Sequence, residues 1–174
     1  ADILFNNNKG IDRLNGQPLT KGEMQQLLDK VKELRTPLAL NGFINGKSVT
    51  ITRDNPADKL HFGKDVSLTI YNRLEIASGK SFYQIARQPK FEHHSYILPK
   101  RRGDLVLLIN GMPVIHIELK SSKVPAMHAV NQITDKYIPE GVFTDCIFSL
   151  VQIFVAMNPE EMIYFANPGI DIKF

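Results

Sequence analysis

The stretch that most constrains this chain runs from Gly103 to Lys120 and reads GDLVLLINGMPVIHIELK. Two apolar runs meet at a short turn centred near Gly111, which predicts a β-hairpin. Apolar residues on successive positions predict strands that are covered on both faces. Charged residues stand only at the far ends of this hairpin, as Asp104, Glu118 and Lys120. Charges beside buried strands are costly unless a ligand or a reaction uses them.

The predicted turn brings the charged ends of the hairpin together. Facing residues then have numbers that sum to about 222, so Asp104 lies opposite Glu118. Two carboxylates this close repel each other unless a cation lies between them, and Mg²⁺ suits a site with one or two carboxylates. Lys120 shares the strand face of Glu118, where its ammonium would stabilise an oxyanion or orient an attacking water. The pattern predicts metal-dependent hydrolysis of a phosphodiester.

A Glu-x-Lys pair alone is weak evidence, because charged pairs at strand ends are usually only solvated. Its placement favours a functional site here, since the pair ends a buried strand, an Asp stands across the turn and an amphipathic helix follows. His116 shares the face of Glu118 and Lys120 one step deeper. A hydrogen-bonded core histidine is the preferred interpretation of that residue.

Composition indicates an ordinary globular protein. The 174 residues suffice for one domain with its own core, and the hydrophobic share of 43% is typical. A single cysteine, Cys146, excludes an internal disulfide and favours a reducing cytoplasm. The apolar runs are far shorter than the ~20 residues of a membrane span, so we expect a soluble protein without a membrane partner. A net charge of +3 permits nucleic-acid binding without requiring it.

Apolar spacing predicts the other elements. A helix over 20–35 begins at Thr20, with Glu23 completing a capping box. Strand hairpins are expected over 37–52, around Asn45-Gly46, and over 66–88, with a turn near Ser78-Gly79. A helix over 124–137 and strands over 146–157 and 161–167 follow the central hairpin. This order predicts one α/β domain over 1–174, with a central mixed sheet flanked by helices.

The segment RRGDLVLLINGMPVIHIELK resembles the PD-(D/E)xK nuclease motif of the restriction (R) subunits of type I restriction-modification enzymes. The likeness extends through AVNQI after the motif, FSLVQIFVAMNPEEMIYFANPG near the end and IDRLNGQPLTKGEMQQLL near the start. It implies a PD-(D/E)xK restriction-endonuclease-like core that makes double-strand breaks in unmethylated DNA. It also implies that the chain is the N-terminal part of a larger subunit with ATP-driven motor domains.

Site residues carry over from the resemblance by position. It implies that Asp104 and Glu118 hold Mg²⁺, that the carbonyl of Leu119 assists them, and that Lys120 is the catalytic lysine. Gly103 stands where the motif has its proline. That departure matters little, because the proline carries no chemistry.

The helix after the motif departs from the family in its spacing. Such subunits often have Gln-x-x-x-Tyr there, whereas Tyr137 follows Gln132 by five residues in this chain. Five residues leave about 140° between two side chains of a regular helix, so both cannot face the site. We therefore expect Gln132 at the catalytic site, Tyr137 mainly in the core, and Lys136 on the face of Gln132.

Other charged residues have competing interpretations. Arg101, Arg102 and Lys123 are candidates for contacts to DNA phosphates, although a solvated basic loop explains the arginines equally well. Glu23 is a candidate for the extra acidic residue that many such nucleases place on their first helix. The capping box explains Glu23 first.

Partners and cofactors follow from the resemblance. It implies double-stranded DNA, the methylation and specificity subunits of a restriction complex, and the motor domains of the same longer chain, in the bacterial cytoplasm. Mg²⁺ would serve the nuclease, ATP only the full-length subunit, and S-adenosylmethionine only the methylation subunit. The sequence contains no G-x-x-x-x-G-K-[ST] phosphate loop, so we expect little cleavage by the isolated domain.

Two alternatives stay open from the sequence. One is a non-catalytic module that keeps the nuclease fold to dock DNA or partner subunits. The other is a stand-alone repair or resolvase-type nuclease.

Overall fold

The computed structural model describes residues 2–34, 37–44, 48–71, 79, 81–91 and 101–169. Contacts divide the chain into two compact units, 1–82 and 83–174. The expectation of a single domain over 1–174 stays a prediction. Within the described ranges, no helix has both the length and the apolar character that a membrane crossing requires.

The first unit combines short helices with a two-stranded sheet. Its elements are α1 (Asp2–Asn8), α2 (Lys21–Lys32), α3 (Pro37–Ile44), β1 (Ser48–Thr52) and β2 (Asp65–Thr69). The predicted capping box of α2 is confirmed: the Thr20 hydroxyl accepts from the Glu23 N–H at 3.1 Å, and the Glu23 carboxylate accepts from the Thr20 N–H at 3.0 Å. These bonds satisfy two of the backbone donors that a helix start leaves open.

The strand hairpin predicted over 37–52 is wrong. Pro37–Ile44 forms α3, and β1 pairs antiparallel with β2, from Ser48 opposite Thr69 to Thr52 opposite Asp65. Proline suits the first turn of a helix, and a short apolar run does not distinguish a helix from a buried strand by its period. The expected turn at Asn45-Gly46 lies outside the described residues.

The antiparallel pair predicted over 66–88 is also wrong. Its first strand, β2, pairs with β1, and its second, β3 (Tyr83–Arg87), belongs to the sheet of the second unit. The alternation of apolar and polar residues correctly predicted that these segments are strands, but it does not specify which strand each one pairs with. Ser78, of the expected turn, lies outside the described residues.

The second unit has a five-stranded mixed sheet in the order β3-β4-β5-β6-β7, which confirms the predicted central mixed sheet. Its further strands are β4 (Leu105–Ile109), β5 (Met112–Leu119), β6 (Ile153–Met157) and β7 (Met162–Ala166). β5 and β6 run parallel, and the other neighbours run antiparallel. The connection from β5 to β6 contains α4 (Met127–Gln132), a π-helical turn (Ile133–Tyr137) and a 3₁₀ turn (Ile147–Leu150). The strand predicted over 146–157 is therefore confirmed only in its second half.

The central hairpin has the predicted register. At its open end Leu105 faces Ile117 and Val106 faces His116, so the numbers of each pair sum to 222. Between Leu107 and Leu108 the register shifts by one residue, and nearer the turn Leu108 faces Pro113. Asn110 and Gly111 form the turn with φ values of 52° and 81°, the left-handed backbone that a tight hairpin turn requires. This register brings the start of β4 beside the end of β5.

Burial is uneven across the sheet, although the sequence predicted strands covered on both faces. One face carries Val106, His116 and Phe154, each with 0% of its surface exposed. The turn after α4 packs into the same core through Ile133 and Tyr137. Residues of the opposite face, such as Ile115 and Ile117, are only half-buried. The buried face is the one that also carries Glu118.

Candidate active site

The acidic pair lies where β4 begins and β5 ends. Asp104 immediately precedes β4, and its Oδ2 atom accepts a hydrogen bond from the Leu119 N–H at 2.8 Å. Leu119 directly follows Glu118, so this bond holds Asp104 beside the end of β5. The predicted opposition of Asp104 and Glu118 agrees with this contact.

Glu118 is buried and held by three side chains. Only 2% of its surface is exposed. Its Oε1 atom accepts hydrogen bonds from Gln132 Nε2 and from the Tyr137 hydroxyl, the latter at 3.3 Å, and its Oε2 atom lies 3.2 Å from His116 Nε2. A buried carboxylate needs such donors, and together they fix its orientation.

The Gln132 amide joins the lysine to the acid. Lys120 Nζ donates to Gln132 Oε1 at 2.6 Å, while Gln132 Nε2 donates to Glu118. The predicted site residues Glu118, Lys120 and Gln132 are therefore in one hydrogen-bonded chain. A charge-assisted bond of this kind holds the flexible lysine side chain in one position.

The helix containing Gln132 widens at this point. Over Ile133–Tyr137 it is π-helical, and the Ile138 N–H donates to the Ile133 carbonyl at 2.9 Å, five residues back. The wider turn brings the Tyr137 hydroxyl to 2.5 Å from Gln132 Nε2. The expectation that Gln132 and Tyr137 cannot both face the site assumed a regular helix and is wrong for this one.

Tyr137 serves the core and the site together. Its ring belongs to the aromatic core, as predicted, with 2% of its surface exposed. Burial and the negative charge of Glu118 raise the pKa of Tyr137 to about 12. The hydroxyl therefore keeps its proton near neutral pH and can donate it to Glu118 or to the Arg102 carbonyl, which lies at 3.2 Å. Lys136, expected on the face of Gln132, is exposed, and Tyr137 makes the contact instead.

Two residues that the sequence analysis missed hold the segment before α4. Asn158 Nδ2 donates to the Val124 carbonyl at 2.9 Å, and Glu161 Oε1 accepts from the Ala126 N–H at 2.7 Å. Asn158 and Glu161 lie in the turn between β6 and β7. Their sequence, NPEE, indicates only a turn, because nothing in it identifies the distant segment that they contact.

His116 is a hydrogen-bonded core histidine, as predicted. Its Nε2 atom contacts Glu118 Oε2, and no part of its surface is exposed. Its ring packs against four aromatic rings with centroids 5.2–6.2 Å away: Phe91, Tyr137, Phe143 and Phe154. His116 thus links the aromatic core to the acidic site.

The three basic candidates differ in their surroundings. Arg101 forms two hydrogen bonds with Glu140, at 2.6 and 2.5 Å, and these bonds raise the pKa of Arg101. Arg102 and Lys123 are exposed to solvent. A DNA phosphate would have to displace Glu140 from Arg101, whereas, within the described ranges, Arg102 and Lys123 have no such contact with Glu140. The DNA contacts of all three residues stay predictions.

Glu23 lies in the first unit and is fully engaged there. Its Oε2 atom pairs with Arg53 Nη1 at 2.5 Å, and its Oε1 atom accepts from the Asp54 N–H at 2.8 Å. Neither Glu23 nor Arg53 has any exposed side-chain surface. The capping interpretation is confirmed, and a role of Glu23 in the nuclease site stays a prediction.

The oxygen donors at the end of β5 fit Mg²⁺. Two carboxylates and the Leu119 carbonyl are hard ligands, and Mg²⁺ keeps several waters beside one or two carboxylates. Among the described residues, only one oxygen of Asp104 is hydrogen-bonded, which leaves the other for a ligand. The described ranges contain no cluster of three or more His, Cys, Asp or Glu side chains arranged for a metal ion, so Mg²⁺ would need the carbonyl and water as further ligands.

A mixed sheet with an Asp, a Glu and a Lys at one edge, backed by the helix between β5 and β6, defines a restriction-endonuclease-like α/β core. Comparison with known proteins gives the family. The family model for the Type I restriction enzyme R protein N terminus matches residues 3–170. The chain belongs to this family.

Individual relatives agree with the family. The endonuclease subunit of the type I restriction enzyme SauCOLORF180P from Staphylococcus aureus (strain COL) is 32% identical over 165 residues, or 92% of this chain. The corresponding SsaAORF53P subunit from Staphylococcus saprophyticus is 31% identical over 92% of this chain. The EcoprrI subunit from Escherichia coli is 39% identical over 67 residues, which are 38% of this chain and 21% of that protein. This chain spans 15% of the length of the two staphylococcal relatives.

Proposed function

We propose that this chain is the Mg²⁺-dependent nuclease domain of a type I restriction endonuclease subunit and that it hydrolyses phosphodiester bonds of unmethylated double-stranded DNA. The chain of hydrogen bonds from Lys120 through Gln132 to Glu118 is the main support. These bonds orient the Lys120 ammonium and the Glu118 carboxylate at the end of β5, where Asp104 also lies. Preorganised charges of this kind stabilise a transition state because they need little rearrangement during the reaction.

Each residue has a defined part in this proposal. Asp104, Glu118 and the Leu119 carbonyl would hold Mg²⁺, which when bound would polarise the phosphoryl group and acidify a water molecule. Lys120, held by Gln132, would stabilise the negative charge that develops on the phosphate. The three donors on Glu118 keep its carboxylate in one orientation before the ion arrives.

The longer assembly is part of the same proposal. The relatives are named as endonuclease subunits, and the staphylococcal ones are several times longer than this chain, which leaves room for the proposed motor domains that use ATP in the full-length protein. We propose methylation and specificity subunits as partners, with S-adenosylmethionine entering only through the methylation subunit. Bacterial relatives support a cytoplasmic location. The isolated domain is expected to cut DNA weakly or not at all.

Substitution of the site in the reconstituted complex tests the proposal. Lys120→Ala and Glu118→Gln are expected to abolish cleavage of unmethylated DNA while DNA binding and ATP hydrolysis persist. Lys136→Ala is the matched control, because Lys136 is an exposed lysine of the adjacent turn. Cleavage at the parental rate by both site variants would contradict the proposal and favour a non-catalytic docking module.

A further inference from the structure

The contact between His116 and Glu118 joins two buried side chains. His116 Nε2 lies 3.2 Å from Glu118 Oε2, and both side chains are almost completely buried. A carboxylate that binds a metal ion is ionised and only accepts hydrogen bonds, so the proposed role of Glu118 requires the proton of this bond to lie on His116 Nε2. In that role His116 is a donor to the oxygen of Glu118 that Gln132 and Tyr137 do not contact.

Packing alone does not explain a histidine at this position. Its Nδ1 atom is buried and has no hydrogen-bond partner among the described residues. An apolar side chain would fill a space between aromatic rings without the cost of a buried, unsatisfied nitrogen, which is about 1–3 kcal/mol. The bond to Glu118 is the contact that an apolar residue could not make.

The backbone beside the ring is adapted to it. A Cβ atom added to Gly103 would lie 2.6 Å from His116 Cε1 and 2.8 Å from Phe91 Cζ, closer than real Cβ atoms approach other atoms. The Gly103 N–H also donates to the Pro89 carbonyl at 3.1 Å, and a proline has no such proton. Gly103, which stands where the motif has its proline, thus leaves room for the His116 ring.

We infer that His116 is a positioning residue for Glu118 and that Gly103 is its structural complement. His116 contacts Oε2 while Gln132 and Tyr137 contact Oε1, so the carboxylate would present a single orientation to a metal ion. This inference rests on the proposed function of Glu118 as a metal ligand. Loss of an outer contact of this kind weakens metal binding or activity by about 10- to 100-fold.

Direct metal binding tests the inference without relying on cleavage. Mn²⁺, a spectroscopic substitute for Mg²⁺, is titrated into the full-length subunit without nucleotide or DNA, and free Mn²⁺ is measured by electron paramagnetic resonance. Glu118→Gln gives the background of other metal sites. His116→Leu is expected to weaken the Glu118-dependent binding by about tenfold or more. His116→Gln is expected to recover most of it, because its terminal amide can donate from near the position of Nε2.

The outcomes separate this inference from the proposed function. Parental Mn²⁺ binding by His116→Leu, together with loss of binding by Glu118→Gln, would overturn the positioning role and leave the metal site intact. Parental binding by Glu118→Gln would instead overturn the metal site itself. If His116→Leu fails to fold, His116→Asn takes its place in the comparison. The asparagine amide is too short to reach Glu118, so this variant also lacks the contact. Parental binding by the asparagine variant would equally overturn the positioning role.

Discussion

Gln132 and Tyr137 are five residues apart in the sequence, yet the side-chain amide of Gln132 lies 2.5 Å from the hydroxyl of Tyr137. The π-helical turn between them explains the contact, because its hydrogen bonds connect residues five apart and bring their side chains to the same side. π-helical turns are rare in proteins, and many of those that occur lie at functional sites. Compared with the Gln-x-x-x-Tyr spacing, this helix has one additional residue between the two side chains. The π-helical turn accommodates that residue, so both side chains still contact Glu118.

Deletion of Asp135 should restore an ordinary α-helix with the Gln and Tyr four residues apart. Asp135 is exposed, so its loss removes no core contact. Since residues four apart face the same way on an α-helix, the deletion variant should retain the hydrogen bond to Gln132 and the cleavage activity of the complex. DNA cleavage by the reconstituted complex is the measurement.

Insertion of one alanine after Asp135 is the matched control. A separation of six positions between Gln132 and the tyrosine fits neither an α-helical nor a π-helical turn, so cleavage should be lost although the inserted residue favours helix formation. Equal losses from the deletion and the insertion would contradict the role assigned to the π-helical turn.

Removal of the Tyr137 hydroxyl should change stability at high pH. The pKa of Tyr137 rises from 10.0 in the unfolded chain to about 12 in the folded one, through burial and the charge of Glu118. Because the folded state holds this proton more tightly, its contribution is complete below pH 10 and is lost as pH rises towards 12. Tyr137→Phe keeps the ring and removes this dependence.

Urea unfolding of the 174-residue chain at several pH values between 7 and 12 measures the effect. The stability of the parent should fall more steeply above pH 10 than that of Tyr137→Phe. Parallel curves for the two proteins would show that Tyr137 titrates normally. Tyr71, whose pKa burial also raises, is present in both proteins and therefore cancels in the comparison.

The hairpin and the helix after it differ in how far the sequence predicts them. An apolar run, a tight turn and two charged ends together define the register of β4 and β5, and the structure has that register from Leu105 to Leu107, next to the site. The position of Tyr137 does not follow from spacing, because the calculation assumes a regular helix. Ile133 and Tyr137, the first and last residues of the π-helical turn, both pack in the core, and a single sequence does not reveal that packing.

In the first unit, the sequence predicts local contacts but not long-range pairing partners. The capping box at Thr20 and Glu23 is local, and the sequence predicts it correctly. The pairing of Glu23 with Arg53 joins residues 30 positions apart, and the partner of β2 depends on folding of a distant segment. Local chemistry therefore identifies elements and caps, while partners at long range require the structure.

Replacement of Glu23 should destabilise the protein far more than the loss of its cap alone. Glu23→Ala leaves the buried Arg53 guanidinium with Asp58 as its remaining carboxylate partner. Removal of one partner from a buried ion pair costs about 3–5 kcal/mol, compared with about 1 kcal/mol for the cap variant Thr20→Ala. Urea unfolding measures both values, and similar losses for the two variants would contradict the structural role of Glu23.

The basic residues should separate into two groups by DNA affinity. Arg102→Ala and Lys123→Ala should each weaken DNA binding and lower the salt slope by about 1, because each removes an exposed charge that can contact a phosphate. Arg101→Ala should mainly lower stability, since Arg101 is bound to Glu140. Fluorescence anisotropy with labelled DNA at several salt concentrations measures the affinities. A salt slope unchanged in Arg102→Ala and Lys123→Ala would contradict the phosphate contacts.

A methyl group at position 103 should lower the free energy of unfolding mainly through its clash with the rings of His116 and Phe91. In Gly103→Ala the new Cβ meets His116 and Phe91, and overpacking of this kind typically costs about 1–3 kcal/mol. In a His116→Val background the nearer of the two contacts is removed, so the same substitution should cost less. A double-mutant cycle from urea unfolding should give a coupling above about 0.5 kcal/mol. Equal costs in the two backgrounds would mean that Phe91 alone, and not the histidine, requires glycine at this position.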